Sequence, residues 1–211
     1  MALVRVEVKP TEGPLPARVA EFVRVANERI DRFCARRTQH PVAAFVPSDF
    51  ELAWRTLDAI ARGRVAPGRS FCEWGCGIGA VAGLAALAGF EASGIEIERE
   101  LVDEAKRLAG DFALKVDLVH GNFVPDDAGS LADCDGSFTW LSEQGPDGHS
   151  ALEQSPDDFD LVFAFPWPGE EEVIFRLFDA YAAPEALLLT FHGREGLRID
   201  RKTSSGVRGR R

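Results

Sequence analysis

Several features of common protein classes are missing from this sequence. No run of about eighteen apolar residues occurs among its 211 residues, so the sequence predicts no membrane-spanning helix. The first residues also lack the charged and apolar pattern of a secretory signal peptide. We therefore expect a soluble cytoplasmic protein that makes no membrane contact.

Cysteine is scarce and is not arranged as metal-binding proteins arrange it. The four cysteines, Cys34, Cys72, Cys76 and Cys134, form no pair of C-x-x-C clusters. Structural zinc sites need such clustered ligands. We therefore expect no metal site, and we expect Cys72 and Cys76 to be small buried side chains.

Basic residues are absent from a long central stretch. No Lys or Arg occurs between Lys115 and Arg176, and the net charge of the chain is −10. A nucleic-acid-binding surface needs clustered basic residues, so nucleic acid is an unfavoured partner. The acidic stretch has two interpretations: a solvated loop, or a field that attracts a cationic substrate such as a lysine side chain or a polyamine.

The composition is that of an ordinary globular protein, with 45% hydrophobic and 27% charged residues. A chain of this length forms one sizeable core more readily than two. We expect a main domain over residues 43–201, an N-terminal extension of one strand and one helix over residues 1–42, and a basic flexible tail over residues 202–211.

Apolar runs alternate with segments of helical periodicity, which indicates an α/β fold with a mostly parallel sheet. The predicted strands are 3–8, 71–74, 91–97, 114–119, 159–165 and 187–192, with at most one short strand in 197–200. The predicted helices are 17–37, 48–62, 80–88, 99–109 and 170–182. Residues 125–158 have weak periodicity, and we expect an irregular insertion there with a short helix or hairpin.

A glycine-rich turn follows the strand at Phe71–Trp74 and precedes a helix. Glycines at such a turn permit positive φ and let a ligand approach the backbone near the helix N-terminus. Read from Gly75, the spacing Gly-x-Gly-x-x-Ala also fits the dinucleotide fingerprint, so an NAD-dependent oxidoreductase is one alternative. Glu73 favours another ligand, because a carboxylate at the strand end repels a pyrophosphate but suits an ammonium group.

The pattern Glu-x-Gly-x-Gly-x-Gly over Glu73–Gly79 resembles motif I of the class I S-adenosylmethionine-dependent methyltransferases. The resemblance covers residues 45–192 and implies a Rossmann-like, doubly wound, three-layer α/β/α fold with S-adenosylmethionine as cofactor. It also implies that Glu73 helps to hold the amino-acid end of the cofactor. The remaining implied cofactor contacts in this turn are Gly75, Cys76, Gly77 and Gly79.

Two further turns occupy the places where this family contacts the adenosine. Glu96 lies at the end of the predicted strand 91–97, where a carboxylate accepts hydrogen bonds from ribose hydroxyls. Glu98 is the alternative if the strand ends later. In the family, an Asp after the strand that corresponds to 114–119 commonly accepts a hydrogen bond from the adenine amino group. Asn122 stands in that position here. Ile97 and Phe123 are the candidates that cover the two adenine faces.

In this family, the loop after the strand that corresponds to 159–165 borders the methyl group of the cofactor. Amine-methylating members often carry Asn-Pro-Pro-Tyr or Asp-Pro-Pro-Tyr there, whereas this chain has Phe-Pro-Trp-Pro. Pro166 and Trp167 are the candidate catalytic residues, because the proline stiffens the loop and the Trp face suits a cationic or planar acceptor. His192, at the end of the next strand, is either a base or a structural residue.

The acceptor is predicted from weaker features. Phe45-Val46-Pro47-Ser48 resembles the segment before motif I in some protein-lysine methyltransferases, and Ser48 with Glu51 also forms a capping box. With the acidic stretch, this favours a protein lysine or a small amine as acceptor. A non-catalytic protein that binds S-adenosylmethionine is the second alternative. The family usually ends in an antiparallel strand pair, which is truncated here, and strand Leu3–Val8 can take the missing place.

Overall fold

The computed structural model describes residues 3–36, 48–129 and 145–203. Within these ranges the chain forms one mixed sheet of seven strands. The strands are β1 (Leu3–Arg5), β2 (Ser70–Trp74), β3 (Glu91–Glu96), β4 (Val116–His120), β5 (Leu161–Ala164), β6 (Leu187–Phe191) and β7 (Leu197–Lys202). Their order in the sheet is β1-β7-β6-β5-β2-β3-β4, and β2 to β6 are mutually parallel.

Helices cover both faces of this sheet, which confirms the predicted three-layer α/β fold. The helices are α1 (Ala17–Arg36), α2 (Phe50–Gly63), α3 (Ala80–Leu87), α4 (Arg99–Asp111), α5 (Gly148–Leu152) and α6 (Glu171–Tyr181). Side chains of α1 to α4 share one core with one face of the strands. Side chains of α6 share a second core with the other face.

Strand β6 shows why the central strands read as unbroken apolar runs. Leu187 and Leu189 lie in the core beneath α1 to α4, while Leu188 lies in the core beneath α6. All three side chains are buried completely. A parallel strand covered by helices on both faces needs apolar residues at every position rather than at alternate ones.

Helix α1 packs closely against helix α3 and is joined to helix α4. A Cβ atom placed on Gly83 of α3 would lie 2.3 Å from the Phe22 ring, so this glycine lets the two helices approach closely. At its other end α1 is joined to α4 by ion pairs of Arg29 and Arg36 with Glu104. The described part of α1 is therefore fixed to two other helices.

Strands β1 and β7 complete one margin of the sheet. β7 lies antiparallel to β6, and β1 lies antiparallel to β7 in the register Val4 to Arg201. Val6 N extends this pairing by donating to Ile199 O at 2.9 Å. This confirms that the N-terminal strand supplies the margin, although β1 is shorter and β7 longer than predicted.

Helix α2 begins one residue later than the predicted capping box requires. Asp49, rather than Ser48, is its N-cap, and the Asp49 carboxylate accepts from Leu52 N at 3.0 Å. Aspartate caps helices as well as serine does, so the Ser48 and Glu51 spacing was misleading. The predicted cap at Ser48 was therefore wrong.

Some predicted segments lie outside the described residues. These are residues 37–47, which include Phe45, residues 130–144 of the central insertion, and residues 204–211 of the basic tail. The described part of the insertion contains the predicted short helix, α5, and a 3-10 turn at Pro156–Asp158. No helix within the described ranges is both long enough and apolar enough to span a bilayer.

Candidate active site

The glycine turn joins β2 to α3 and is fastened to the neighbouring strand. Gly75, Gly77 and Gly79 have φ values of +72°, +54° and +68°, which side chains with a Cβ rarely adopt. The amides of Gly75 and Cys76 both donate to Ile95 O at 2.9 Å. The turn therefore has a left-handed backbone at three places, and glycine is required at them.

The surroundings of these glycines differ in a way that locates space for a ligand. A Cβ atom on Gly75 would meet nothing within 4 Å, whereas one on Gly79 would lie 3.1 Å from the Cβ of Ala105. Gly79 therefore permits α4 to pack against the turn. Gly75 instead borders open space at the carboxyl end of β2, which is the cradle that a bound cofactor needs.

Glu73 is a buried carboxylate directly before this turn. Its side chain is 5% exposed, and its Oε2 accepts from Ala82 N of α3 at 2.7 Å. Burial raises the pKa of Glu73 well above its ordinary value, and the nearby charge of Glu96 raises it further. One carboxylate oxygen thus holds the start of α3, and the predicted contact with a cofactor ammonium group remains a prediction for this residue.

Glu96 ties the same turn to the start of α4. Its Oε2 accepts from Gly77 N at 2.7 Å, and its Oε1 accepts from Glu98 N at 2.9 Å. The side chain is 7% exposed, and burial raises its pKa although both amide bonds oppose the shift. Glu98 has an exposed side chain, so Glu96 is the carboxylate in the turn. Its predicted bond to ribose hydroxyls remains a prediction.

The pair of buried carboxylates determines which ligands suit this edge. Burial raises the pKa of Glu73, and the charge on Glu96 raises it further, because two ionised carboxylates repel each other. A cationic ligand beside Gly75 would relieve this repulsion, whereas a pyrophosphate would add two more negative charges to it. The two buried carboxylates therefore suit a cofactor that carries positive charge.

The turn after β4 is built from two distant parts of the chain. Asn122 Oδ1 accepts from Val124 N at 3.0 Å, as in a simple asparagine turn. The backbone of Asn122 also pairs with the segment before α5, where Asn122 N donates to Pro146 O and Gly148 N donates to Asn122 O. The predicted bond from Asn122 to adenine therefore needs a second lone pair on Oδ1, and it remains a prediction.

Aromatic residues pack against the turn after β4. The Phe123 ring stacks on Trp74 with centroids 5.4 Å apart and planes within 5° of each other. His149 of α5 donates from Nε2 to Phe123 O at 3.0 Å. Ile97 is half-buried beside the backbone of Gly145, where an added Cβ would lie 2.5 Å from Ile97 Cδ1. The predicted adenine contacts of Phe123 and Ile97 remain predictions.

Sequence reasoning missed Trp74 and His149 as parts of the site. Trp74 reads as the last residue of a buried strand, and His149 lies in the stretch with weak periodicity. Their rings meet edge to face at 6.4 Å. The sequence signal for this contact was Trp74 itself, an aromatic residue inside the glycine motif. Its partners Phe123 and His149 lie far along the chain.

The proline loop occupies the carboxyl end of β5, the strand beside β2. Pro166 is buried and Trp167 is half-buried. Trp167 N donates to Glu170 Oε2 at 3.3 Å, and Glu170 N donates back to Trp167 O at 2.8 Å. The loop is thus closed on itself as a turn, and the catalytic roles of Pro166 and Trp167 remain predictions.

The cysteines near the turn are structural in their surroundings. Cys76 packs with Ala105, Ala109 and Leu118, and Cys76 O accepts from Gly79 N at 2.7 Å. Burial raises the pKa of both Cys72 and Cys76 well above the ordinary value. Cys76 therefore shapes the turn, and its predicted contact with a cofactor remains a prediction. In the described ranges, no group of three or more His, Cys, Asp or Glu side chains is placed to hold a metal ion.

Solved structures that share this architecture include methyltransferases. An RNA methyltransferase from Salinibacter ruber in complex with S-adenosyl-L-homocysteine superposes with a TM-score of 0.52 at 16% identity, over 78% of this chain and 98% of that chain. A methyltransferase from Geobacter sulfurreducens gives 0.50 at 17% identity, over 90% and 92% of the two chains. The fold is that of the class I methyltransferases.

A third structure with the class I methyltransferase fold is an O-methyltransferase from Bacillus cereus in complex with SAH. It superposes with a TM-score of 0.51 at 14% identity, over 84% of this chain and 66% of that chain. No protein-family model and no curated protein matches the sequence. The chain therefore shares this fold with the three structures at low sequence identity.

The order of the strands in the sheet explains why these residues meet. From β2 the chain proceeds through β3 and β4 toward one side of the sheet, and then through β5 and β6 toward the other. Open α/β sheets bind ligands at the carboxyl ends of the strands where the order reverses. The reversal lies between β2 and β5, so the glycine turn and the proline loop both border it.

Proposed function

We propose that this protein is an S-adenosylmethionine-dependent methyltransferase that transfers a methyl group to an amine-bearing, cationic acceptor. The observation that carries the proposal is the pair of buried carboxylates, Glu73 and Glu96, at a glycine turn that borders open space. Such a pair favours a ligand with positive charge. S-adenosylmethionine carries two positive charges near its reacting centre, whereas NAD presents a pyrophosphate.

The residues that would hold the cofactor follow the order of the strand ends. Glu73 and Gly75 would receive its amino-acid end, Glu96 its ribose, and the Asn122 turn its adenine. When bound, the cofactor supplies a methyl group that is already activated on a sulfonium. The protein therefore has to align the acceptor with that methyl group more than it has to supply acid and base groups.

Alignment at the acceptor side would fall to the proline loop. Pro166 is buried, and the hydrogen bonds between Trp167 and Glu170 restrict the loop. The half-buried Trp167 ring would offer a face to a cationic or planar acceptor, which an aromatic face attracts. Trp167 also follows β5, the strand beside the glycine turn. These positions support Pro166 and Trp167 as catalytic residues.

The proposed acceptor rests on charge. No Lys or Arg lies between Lys115 and Arg176, and the first turn of α6 beside the proline loop carries Glu171 and Glu172. This negative potential would concentrate a cationic amine, such as a lysine side chain or spermidine, and would repel RNA. The similar structures include an RNA methyltransferase and an O-methyltransferase, so RNA and hydroxyl acceptors are the alternatives to an amine.

Calorimetry tests the cofactor assignment. We expect S-adenosylmethionine and S-adenosylhomocysteine to bind in the micromolar range and NAD to bind at least about 100-fold more weakly, a difference of about 2.7 kcal/mol. A preference for NAD would overturn the proposal in favour of an oxidoreductase.

Methyl transfer tests the activity itself. The protein would be incubated with methyl-labelled S-adenosylmethionine and with spermidine, poly-lysine or a transfer RNA mixture. We expect label in the two amine probes and little in the RNA. Cofactor binding without transfer to any probe would instead favour a non-catalytic binding protein.

A further inference from the structure

His192 stands at the carboxyl end of β6, next to the proline loop. Thr190 pairs in register with Ala164, so His192 comes level with Pro166 two residues further along each strand. Neighbouring strands lie about 4.8 Å apart, which puts β6 about 10 Å from the glycine turn on β2. His192 therefore lies at the same edge of the sheet as the proline loop, one strand further from β2.

The position of His192 relative to the predicted cofactor matters for the chemistry. The predicted ribose contact, Glu96, ends β3 on one side of β2, whereas β5 and β6 lie on the other side. A methyl group held at the glycine turn with its adenosine toward β3 would be open to attack from the β5 and β6 side. His192 lies on that side.

The His192 imidazole is fixed by one buried hydroxyl. Thr190 Oγ1 lies 2.8 Å from His192 Nε2, and Thr190 is 0% exposed while His192 is half-buried. When Nε2 donates its proton to Thr190 Oγ1, Nδ1 is left with a free lone pair. In this tautomer Thr190 holds the ring through Nε2, and Nδ1 can act as a base.

Charged groups from several elements surround this imidazole. Burial lowers the pKa of His192, and Arg198 of β7 and Arg5 of β1 lower it further, while Glu171 of α6 and Glu195 after β6 oppose the shift. The ordinary pKa of histidine is about 6.5. His192 is therefore neutral at pH 7, as a proton acceptor must be.

We infer that His192 is the catalytic base of the proposed methyl transfer and that Thr190 is its positioning residue; this rests on the proposed function. Nδ1 accepts the proton of the acceptor group as the bond from that group to the methyl carbon forms and the bond from sulfur to the methyl carbon breaks. The resulting imidazolium then loses its proton to solvent, so atoms and charge balance without another reactant.

His120 provides a matched control. It ends β4, which lies two strands from β2 on the opposite side of the sheet, and it is half-buried like His192. Its Nδ1 contacts Arg99 at 3.4 Å. The same substitution can therefore be made at a histidine that lies on the other side of β2 from the proline loop.

The tautomer test needs neither cofactor nor acceptor. Long-range ¹H–¹⁵N correlation spectra of the full chain would assign the protonated nitrogen of His192 at pH 7.5. We expect a bare Nδ1 and a protonated Nε2, with this preference lost in Thr190→Val and kept in Thr190→Ser. A protonated Nδ1 with a bare Nε2, or a doubly protonated ring at this pH, would overturn the inference even if methyl transfer is observed.

The activity test uses labelled S-adenosylmethionine with the amine probe that the wild type methylates. We expect His192→Gln to lower kcat at least about 100-fold with little change in cofactor affinity, and Thr190→Val to lower kcat about 10-fold with KM unchanged. The wild-type rate should rise with pH with a midpoint below pH 6.5, because the pKa of His192 is lowered, and His192→Gln should lose this rise. His120→Gln should keep both the rate and the pH profile.

The two hypotheses fail in different ways. If the wild type methylates no probe, the proposed activity is wrong. The spectra still decide which nitrogen of His192 is protonated. A wild type that methylates a probe while His192→Gln retains its rate and its pH profile sinks only the role of His192.

Discussion

Glu73 and Glu96 each serve the fold and the proposed chemistry at once. Both carboxylates are buried, both accept backbone amides, and burial raises the pKa of both. A group with a raised pKa in the folded state contributes stability below its ordinary pKa and loses it as pH rises. The two residues should therefore reduce stability at neutral pH, in an arrangement suited to a cationic ligand.

Replacing Glu73 by Gln tests this conflict between stability and binding. The amide oxygen of Gln can still accept from Ala82 N, but the buried charge is removed. Since the stability contribution of Glu73 is present below pH 4.5 and lost as pH rises through its raised pKa, the variant should gain stability relative to wild type between pH 5 and pH 8. Its affinity for S-adenosylmethionine should fall at least about tenfold, or about 1.4 kcal/mol.

Thermal unfolding at several pH values and calorimetry would measure both effects of Glu73→Gln. Glu91→Gln is the control, because Glu91 is exposed at the start of β3. An equal loss of stability at pH 5 and pH 8, with unchanged cofactor affinity, would contradict the assigned role of Glu73.

Gly75→Ala tests the cradle. A Cβ at φ +72° costs about 1 kcal/mol or more, and here it would also enter the open space beside the turn. We expect a lower melting temperature and at least about tenfold weaker binding of S-adenosylhomocysteine by calorimetry. Gly110→Ala in α4 meets nothing within 4 Å, so it should add up to about 1 kcal/mol of stability and leave binding unchanged.

At the residue scale, contiguous motifs were predictable and remote partners were not. Glu73, the glycines and Glu96 follow from one strand, one turn and the next strand. The stacking of Trp74 on Phe123 and the bond from His149 to Phe123 O depend on where the insertion folds back. Periodicity contains no information about such contacts. The same holds for Asn122, whose side chain accepts from its own turn.

At the scale of elements, the contact between α1 and α4 is an ion-pair network with a largely buried centre and exposed outer members. Arg29 and Glu104 have side chains 13% exposed, and Glu104 also pairs with Arg36 and Arg107. Arg29 pairs with Asp111 as well. Partly buried pairs of this kind depend on all partners being present, because removing one leaves a poorly solvated charge.

Arg29→Met should loosen α1 from α4. We expect a loss of about 1–2 kcal/mol in the free energy of unfolding and faster amide exchange along α1, measured by denaturation and hydrogen exchange. Arg24→Met, on the same helix, removes exposed pairs with Glu21 and Glu28 and should cost less than about 0.5 kcal/mol. Equal effects of the two substitutions would show that the network contributes nothing beyond ordinary surface pairs.

Element types were predictable from periodicity, and their ends were less so. The long apolar strands and the amphipathic helices appear where the sequence indicated. The start of α2 was misplaced because Ser48 and Asp49 are both good caps, and only the backbone bond to Leu52 N distinguishes them. Strand β1 ends at Arg5 because its pairing with β7 ends there, apart from the bond at Val6.

At the scale of the whole molecule, the margin of the sheet depends on β1. This short strand covers the hydrogen-bonding edge of β7, and Val4 on it is 53% exposed. An uncovered strand edge is a template for pairing with another chain. The N-terminal residues therefore protect the sheet as well as extend it.

Removing residues 1–8 should lower the melting temperature and promote self-association. β7 would become the margin strand, with unpaired backbone groups along one side. Sedimentation velocity over a range of concentrations would detect the association. Val4→Thr is the control, since it reduces the apolar surface and keeps the pairing, and it should stay as monodisperse as wild type. A truncated chain that remains equally monodisperse would contradict the protective role of β1.

The overall architecture was the most predictable level. The alternation of strands and helices dictates a parallel sheet with crossovers, and the right-handed crossovers leave few possible orders. The predicted N-terminal strand was expected to supply the margin of the sheet, and β1 does so. The length of β7 was underestimated, because the strand was predicted over residues 197–200 only and the charged residues Arg201 and Lys202 gave no sign of a strand.

The pairing of Val4 with Arg201 has a consequence for biosynthesis. A ribosome makes residue 4 early, yet the strand that receives it emerges nearly two hundred residues later. Contacts this remote in sequence are slow to form, and chains fold progressively as they emerge. The nascent protein should therefore assemble its parallel centre first and close its outer margin only after residue 202 has left the exit tunnel.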